Sequence, residues 1–419
     1  MHKAPRGTFD ILPEEHAYWK YVEHKAASLC QLYGYQSLST PIFEDAQIFT
    51  KTVAGGTDIV DKEMYVFADK SGQELALRAE GTAPVCRAYL EHGLFNLPQP
   101  VKLYYIGPAF RYERPQSGRY RQHHQFGFEA LGEADPALDA EVIEMTSHFF
   151  HSLGLSHFTI QLNSIGCKVC RPGYLEVLKQ HYSDYIDRLC PDCKTRLVKN
   201  PLRLLDCKKT PCQEIAETAP QITDYLCHEC QLHFQSVQKY LGVMGISFRF
   251  NRRLVRGLDY YTRTVFEVEP RANGGQSALG GGGRYDNLIE ELGGKPTPAV
   301  GFATGLERIV MNLKKQKLNI PALPTPAVFI AYLPGEAKTE AIKLASELRE
   351  AGVALIMATG DKSLKGQLRQ ANSLDIAHAL ILGEQEVSKR NVMWRDMRSG
   401  EQRTISLAEI AKFLKHLRI

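Results

Sequence analysis

One stretch constrains this chain more than any other: Tyr105–Gly132, YIGPAFRYERPQSGRYRQHHQFGFEALG, in which Arg111, Arg114, Arg119 and Arg121 occur with no lysine among them. Short apolar runs flank it, Leu103–Ile106 on one side and Phe126–Leu131 on the other. The runs predict strands, and the Pro/Gln/Ser/Gly cluster between them predicts a loop. The expected product is an antiparallel hairpin with a long arginine-rich tip. Guanidinium forks donate two parallel hydrogen bonds in a fixed plane, a geometry that suits phosphate and carboxylate oxygens. Gln125 and Glu129 lie an even number of residues apart, so a regular strand puts them on one face. An amide and a carboxylate on that floor can hold a small polar ligand. A merely solvated hairpin would account for the loop but not for polar residues inside an apolar strand.

A chain of 419 residues has room for two or three domains with ample core. Its 51 basic and 47 acidic residues leave a net charge of +4, which permits a nucleic-acid partner without arguing for one. No apolar run is long enough to span a membrane. The opening MHKAPRGTFD lacks the apolar core of a signal peptide, so a cytoplasmic location is expected. Ten cysteines in such a compartment are reduced thiols or metal ligands rather than a disulfide framework.

Along the chain, Pro13 with Glu14 and Glu15 predicts a helix start. Tyr18, Val22, Ala26, Leu29 and Leu32 then recur at helical spacing, and Gly34 closes the helix. Tyr35–Glu44 predicts an extended segment interrupted by Pro41. Strands are expected over Met64–Ala68 and Glu74–Leu77, around an Asp-Lys-Ser-Gly turn. The second leads into Glu80-Gly81-Thr82, ahead of a helix over Ala83–Glu91. There a carboxylate and a hydroxyl can ligate an amino group, or simply cap the helix. A helix over Pro136–Leu153 and a strand over Ile160–Ile165 follow.

Residues 167–242 hold eight of the ten cysteines and read as a mostly helical insertion, with helices over Leu175–Leu189 and Glu229–Leu241. Cys167/Cys170, Cys190/Cys193 and Cys227/Cys230 have the spacing of zinc ligands, and Cys207 and Cys212 add two more thiols. Phe248–Leu254 returns to strand and runs into LVRGLDYYT, residues 254–262, which places Arg256, Asp259, Tyr260 and Tyr261 at a strand end. A tyrosine hydroxyl can donate to an imidazole or accept from it. The glycine run ALGGGGRYD, residues 278–286, is neither a dinucleotide fingerprint nor a P-loop. It offers bare backbone against which a flat ligand can lie. Val300–Val310 reads as a small-residue strand turning into a helix that carries Arg308. Beyond the Lys- and Pro-rich linker at Lys314–Pro326, strands and helices alternate, which predicts a small α/β domain with a mainly parallel sheet. From Ala327 onward 14 basic residues face 11 acidic ones, a surplus of 3 that is too weak to argue for nucleic acid by charge.

The segment FRYERPQSGRYRQHHQFGFE resembles motif 2 of class II aminoacyl-tRNA synthetases, and its RPQ triplet resembles the histidine-specific family. LVRGLDYYT matches the histidine-specific signature over nine residues. The long helix and proline-bearing strand resemble motif 1, and VGFATGLERIV resembles motif 3. The resemblance spans nearly the whole chain. It implies an α+β catalytic domain over residues 1–325 built on a mixed, mainly antiparallel sheet, with the helical insertion at about 167–242. An anticodon-binding α/β domain would occupy 327–419. The implied reaction joins L-histidine to the 3′ end of tRNA(His) through a histidyl-adenylate, with ATP and Mg2+. A homodimer is implied as well.

The resemblance assigns Glu80, Gly81, Thr82, Arg111, Gln125, Glu129, Arg256, Tyr260 and Tyr261 to histidine. It assigns Arg111, Glu113, Arg119, Arg121 and Arg308 to ATP, with Arg256 and Arg111 at the reacting α-phosphate. Arg114 and Gln116 fall to the tRNA acceptor end. The spacing of the cysteines favours structural zinc, whereas the resemblance does not call for it, so no metal ligand is assigned. A histidine-sensing regulatory subunit of ATP phosphoribosyltransferase is the alternative with the same catalytic fold. That family usually lacks both the LVRGLDYY signature and the C-terminal domain, which this chain has.

Overall fold

The computed structural model describes residues 2–52, 63–114, 118–271, 278–360 and 362–417, which fall into two compact units, Met1–Pro321 and Ala322–Ile419. The first unit is built on an eight-stranded sheet. Its strands lie in the order Gln36–Ser37, Val101–Phe110, Gln122–Leu131, Ala299–Gly305, Gly280–Arg284, Thr262–Pro270, Phe158–Ser164 and Phe248–Phe250. The outermost strand at each edge pairs parallel and all other pairs are antiparallel. The arginine hairpin is the longest pairing, in register from Val101↔Leu131 to Phe110↔Gln122. The expected antiparallel hairpin is therefore present, with strands of ten residues each that extend past the apolar runs.

Helices cover one face of this sheet. Pro136–Ser152 starts on Pro136, with the Asp135 carboxylate accepting from the Ala137 N–H, a proper N-cap. Met145, Phe149 and Phe150 from this helix are fully buried in one cluster with Phe128, Phe266 and Phe302 from three neighbouring strands. The N-terminal helix spans His16–Leu32, three residues later than Pro13 would predict. Pro13–Glu15 instead forms a lead-in turn, closed by bonds from the Glu15 and His16 N–H groups to the Leu12 and Pro13 carbonyls. The buried stripe of the helix is Trp19, Val22, Ala26, Leu29 and Cys30, while Leu32 is 78% exposed. Residues 35–44 do not form one strand. Gln36–Ser37 joins the large sheet and Phe43–Asp45 joins a separate three-stranded sheet with Glu74–Leu77 and Val66–Ala68.

The Cys-rich segment is helical as expected, but it holds four helices where two were expected: Arg171–Ser183, Pro191–Lys199, Thr210–Glu217 and His228–Val243. Cysteines interrupt the pattern, since Cys170, Cys190 and Cys227 each stand immediately before a helix. In the second unit, Leu355–Met357, Val328–Tyr332 and His378–Leu382 pair parallel. A hairpin of Asn391–Asp396 and Gln402–Ser406 then adds two antiparallel pairings, so the sheet is mixed rather than mainly parallel. The unforeseen strand Gln402–Ser406 is exposed over most of its length, which removes the apolar alternation by which strands are recognised. Among the described residues no helix is long and apolar enough to cross a membrane.

Candidate functional site

The chemistry converges on a small pocket on the opposite face of the large sheet, where helices Thr82–Glu91 and Leu288–Glu291 and the Cys-rich segment also pack. Glu80, Thr82, Arg111, Gln125, Glu129, Arg256, Tyr260 and Tyr261 line it, together with Tyr285 and the backbone of Gly281 and Gly301. Gln125 and Glu129 do share a face of their strand. Beside them the facing strand carries Gly305 and Gly301 at the paired positions. Gly301 is dictated by close approach. A β-carbon there would lie 1.7 Å from Glu129 Oε2, so only glycine leaves room for the carboxyl group. Gly281 plays the same part for Arg256, whose Nη1 would be 2.6 Å from an added β-carbon.

Glu129 sits at the bottom, 1% exposed. Thr82 Oγ1 donates to its Oε1 at 2.7 Å, Tyr285 Oη donates to its Oε2 at 2.5 Å, and Tyr105 Oη approaches Oε1 at 3.5 Å. Burial pushes this carboxyl up to about 8, because the low-dielectric surroundings disfavour the charge more than the hydroxyl donors favour it. The group is therefore predominantly neutral at pH 7 and can both donate to and accept from a polar ring.

Glu80 does what the simplest reading of a residue before a helix allows. Its carboxylate accepts from the Thr82 N–H at 2.6 Å and the Ala83 N–H at 2.8 Å, holding the start of helix Thr82–Glu91. It still faces the pocket, and Thr82 is turned inward onto Glu129. Gln125 Oε1 accepts from the Gly81 N–H at 2.9 Å, which locks the Glu-Gly-Thr turn onto the hairpin. Two arginines enter from different segments, Arg111 just past the end of strand Val101–Phe110 and Arg256 in the segment between strands Phe248–Phe250 and Thr262–Pro270. Arg111 is braced by a bond from Nε to the Ala79 carbonyl at 3.0 Å, leaving its terminal nitrogens toward the pocket it lines. Arg256 pairs with Glu267 at 2.9 Å and lies 5.9 Å from the centre of the Tyr261 ring. Tyr260 packs between Tyr261 and Tyr285, with ring centres 4.9 and 5.7 Å away.

The remaining predicted residues lie outside this lining. Arg308 donates from Nε to the Gly118 carbonyl at 3.1 Å and from Nη1 to the Ala278 carbonyl at 2.6 Å, so it ties the hairpin tip to the approach of the glycine strand. Arg119 pairs with Glu113 at 3.2 Å. Arg121 stacks 3.9 Å above the Tyr112 ring and donates to the Glu113 carbonyl. Arg114 is exposed, and Gln116 lies outside the described residues. Sequence reasoning passed over Tyr285, Tyr105 and Glu267. Tyr285 directly follows the glycine run and Arg284, and that adjacency was the available signal.

The cysteines also converge. The sulfurs of Cys167, Cys170, Cys227 and Cys230 lie within 4.8 Å of one another, as do those of Cys190, Cys193, Cys207 and Cys212. Each group could hold a metal ion.

Comparison with known proteins agrees with this geometry. A family model described as histidyl-tRNA synthetase matches residues 7–168 and 200–309, and one described as an anticodon binding domain matches 327–417. A histidine–tRNA ligase of Dehalococcoides mccartyi is 56% identical over 98% of both chains, and one of Desulforamulus reducens is 48% identical over 98% of both. The crystal structure of apo histidyl-tRNA synthetase from S. aureus superposes with a TM-score of 0.82 at 37% identity, covering 99% of each chain. Relatives that carry the ligase name over their full length favour the enzyme over the histidine-sensing alternative. Matched across both of its units, the chain belongs to the histidyl-tRNA synthetase family.

Proposed function

We propose that the pocket binds histidine with its ring on Glu129 and its carboxylate toward Arg111, and that Arg256 meets the α-phosphate of ATP. The enzyme is a histidine–tRNA ligase: the histidine carboxylate attacks the α-phosphate, pyrophosphate leaves, and the histidyl group passes to the tRNA 3′ end. No side-chain nucleophile is needed, so catalysis lies in positioning and in meeting charge on the phosphoryl oxygens. The observation that carries this reading is the buried Glu129 carboxyl at the base of a pocket flanked by two arginines. Tyr261, with Tyr260 beside it, offers the second ring partner. Glu80, Thr82 and Gln125 surround the place for the amino group, which would exchange with the N–H groups that Glu80 and Gln125 now hold.

Arg308 with Arg119 or Arg121 would meet the outer phosphates. Magnesium takes carboxylate, phosphate and water oxygens. Glu113 and Glu267 fit that donor set, each now resting against an arginine, and a bound ion would neutralise phosphate charge. Arg114 and Gln116 at the hairpin tip, together with the helical insertion, would read the acceptor arm of tRNA(His). The C-terminal unit would read the anticodon. A homodimer is supported by Ile42, Phe43, Val66 and Phe67, apolar residues 42–53% exposed at the strand resembling motif 1 and on the sheet it joins. Sedimentation at working concentration tests it. A cytoplasmic location accords with the tRNA substrate.

Glu129→Ala tests the pocket. It leaves a ring N–H unpaired in a closed site, at about 1–3 kcal/mol, so the histidine KM should rise roughly 5- to 150-fold while the ATP KM moves little. Equal rises in both would reject the assignment.

A further inference from the structure

The insertion spans a small core whose four helices run from 8 to 16 residues, lengths at which a helix alone is marginal in water. Its eight thiols do not scatter over that core. They meet in two groups of four.

In a tetrahedral site with metal–sulfur bonds of about 2.3 Å, the sulfurs stand about 3.8 Å apart. The separations here are 3.8 Å for Cys167–Cys170, 3.9 Å for Cys167–Cys227, 3.9 Å for Cys170–Cys230 and 3.9 Å for Cys190–Cys207. A disulfide requires about 2.05 Å and joins two sulfurs, not four. Backbone N–H groups point at the sulfurs, Cys167 to Cys170 Sγ at 3.3 Å, Val169 to Cys167 Sγ at 3.4 Å and Cys190 to Cys212 Sγ at 3.4 Å. Donors of that kind are the usual outer support of metal-bound thiolates. A closed set of four thiolates is a structural zinc set, with no position left for a substrate.

The two groups also touch the active-site signature. Arg171 follows Cys170, and its guanidinium donates to the Ile165, Gly166 and Tyr261 carbonyls at 3.0, 3.1 and 2.5 Å. Asn200 and Arg203 lie in the loop that Cys193 and Cys207 bracket. Asn200 Nδ2 donates to Asp259 Oδ1 at 2.6 Å, and Arg203 Nη1 donates to the Gly257 carbonyl at 3.3 Å.

We propose that the insertion holds two zinc ions, one on Cys167, Cys170, Cys227 and Cys230 and one on Cys190, Cys193, Cys207 and Cys212. Through Arg171 and Asn200 they fix the segment 255–261 over the pocket. The first ion closes the root of the insertion, where cysteines 60 residues apart meet. The second closes the loop that grips Asp259. Arg171, Asn200 and Arg203 are positioning residues, since they hold the segment that carries Arg256 and Tyr261 and do not themselves line the pocket.

Metal analysis of the full chain, purified under reduction, should give two zinc ions per chain, and exchange with cobalt should give the visible bands of tetrahedral cobalt thiolate at the same stoichiometry. No bound metal together with no uptake of cobalt would overturn the sites, and stoichiometric iron would overturn the assignment to zinc. The paired change Cys190→Ser with Cys193→Ser should leave one zinc. Hydrogen exchange of the peptide covering 254–262 should then rise at least tenfold. Asn200→Ala, which keeps all eight thiols, should raise exchange of the same peptide while two zinc ions remain. If this peptide stays protected after the second ion is lost, the coupling is wrong even though the sites are right. If the paired variant does not fold, the cobalt spectrum of the wild-type chain decides the sites and Asn200→Ala decides the coupling.

Discussion

Replacing Glu129 by glutamine should remove the pH dependence of stability that this one residue imposes. The carboxyl is 1% exposed, and burial raises it from an ordinary value of 4.5 to about 8. Between those two values the unfolded chain releases the proton and the folded chain keeps it. The folded state then binds more protons, so the contribution of Glu129 to stability falls as pH rises. The loss begins near pH 4.5, grows by roughly 1.4 kcal/mol per pH unit and levels off near pH 8, where the folded group also ionises. Glutamine keeps the shape and the hydrogen-bonding capacity toward Thr82 and Tyr285, whose hydroxyls can turn to donate or accept. It has no proton to release. The stability of Glu129→Gln relative to wild type should therefore increase by about 4 kcal/mol between pH 5 and pH 8.5. For a unit of this size that is about 8 °C in melting temperature, at roughly 2 °C per kcal/mol. Thermal melts of the ligand-free proteins in a pH series read it directly, and every other titrating group cancels in the difference. Parallel melting curves across the series would mean that Glu129 ionises normally, and the account of a neutral carboxyl at the pocket floor would fail. The same variant should bind histidine poorly at every pH, which separates the stability effect from recognition.

Other outcomes follow from the same geometry. Arg256→Lys keeps the charge and loses the planar fork, so kcat for histidine-dependent ATP–pyrophosphate exchange should drop about 10²–10³-fold with a much smaller change in histidine affinity. A near-normal kcat would make Arg256 structural, through Glu267. Gln116→Ala should impair transfer to tRNA(His) at sub-saturating tRNA and spare adenylate formation; unchanged charging would remove the hairpin tip from tRNA recognition. Ending the chain after Pro321, where the first compact unit ends, should preserve pyrophosphate exchange and severely weaken tRNA charging. Insolubility of that fragment would show that the two cores depend on each other.

The hairpin, the signature and the Glu-Gly-Thr turn could be read from the sequence because each is a local pattern whose side chains act where the strand puts them. Gln125 and Glu129 needed only the two-residue alternation of one strand. Tyr285 could not be found that way. The pairing between Gly280–Arg284 and Thr262–Pro270 slips between Gly283 and Arg284, so that Arg284 faces Thr262. Such a bulge re-aims the side chains that follow it. It sends Arg284 into a buried pair with Asp139 and Tyr285 onto Glu129. Glu267 was hidden for a different reason, since its contact with Arg256 joins a strand to the segment that turns back over it, and the sequence does not mark which strand residue that segment meets. Only the outer strand of the C-terminal hairpin, Gln402–Ser406, was missed, because it buries almost nothing.

The glycine strand carries a consequence for anyone who would make this enzyme sturdier. Gly280–Gly283 lies near the middle of the main sheet, where four residues of maximal backbone freedom weaken it by roughly 0.5–1 kcal/mol each relative to alanine. Glycine-to-alanine exchange is a standard route to thermostability, and this is the strand it would target first. Every position refuses it. An added β-carbon would meet Phe302 at 2.8 Å, Arg256 at 2.6 Å, the Gly301 carbonyl at 2.0 Å or the Thr264 carbonyl at 2.4 Å. The reserve of stability that this sheet lacks is therefore tied to the close approach of neighbouring strands, of Phe302 and of Arg256, and heat resistance has to be sought elsewhere in the chain.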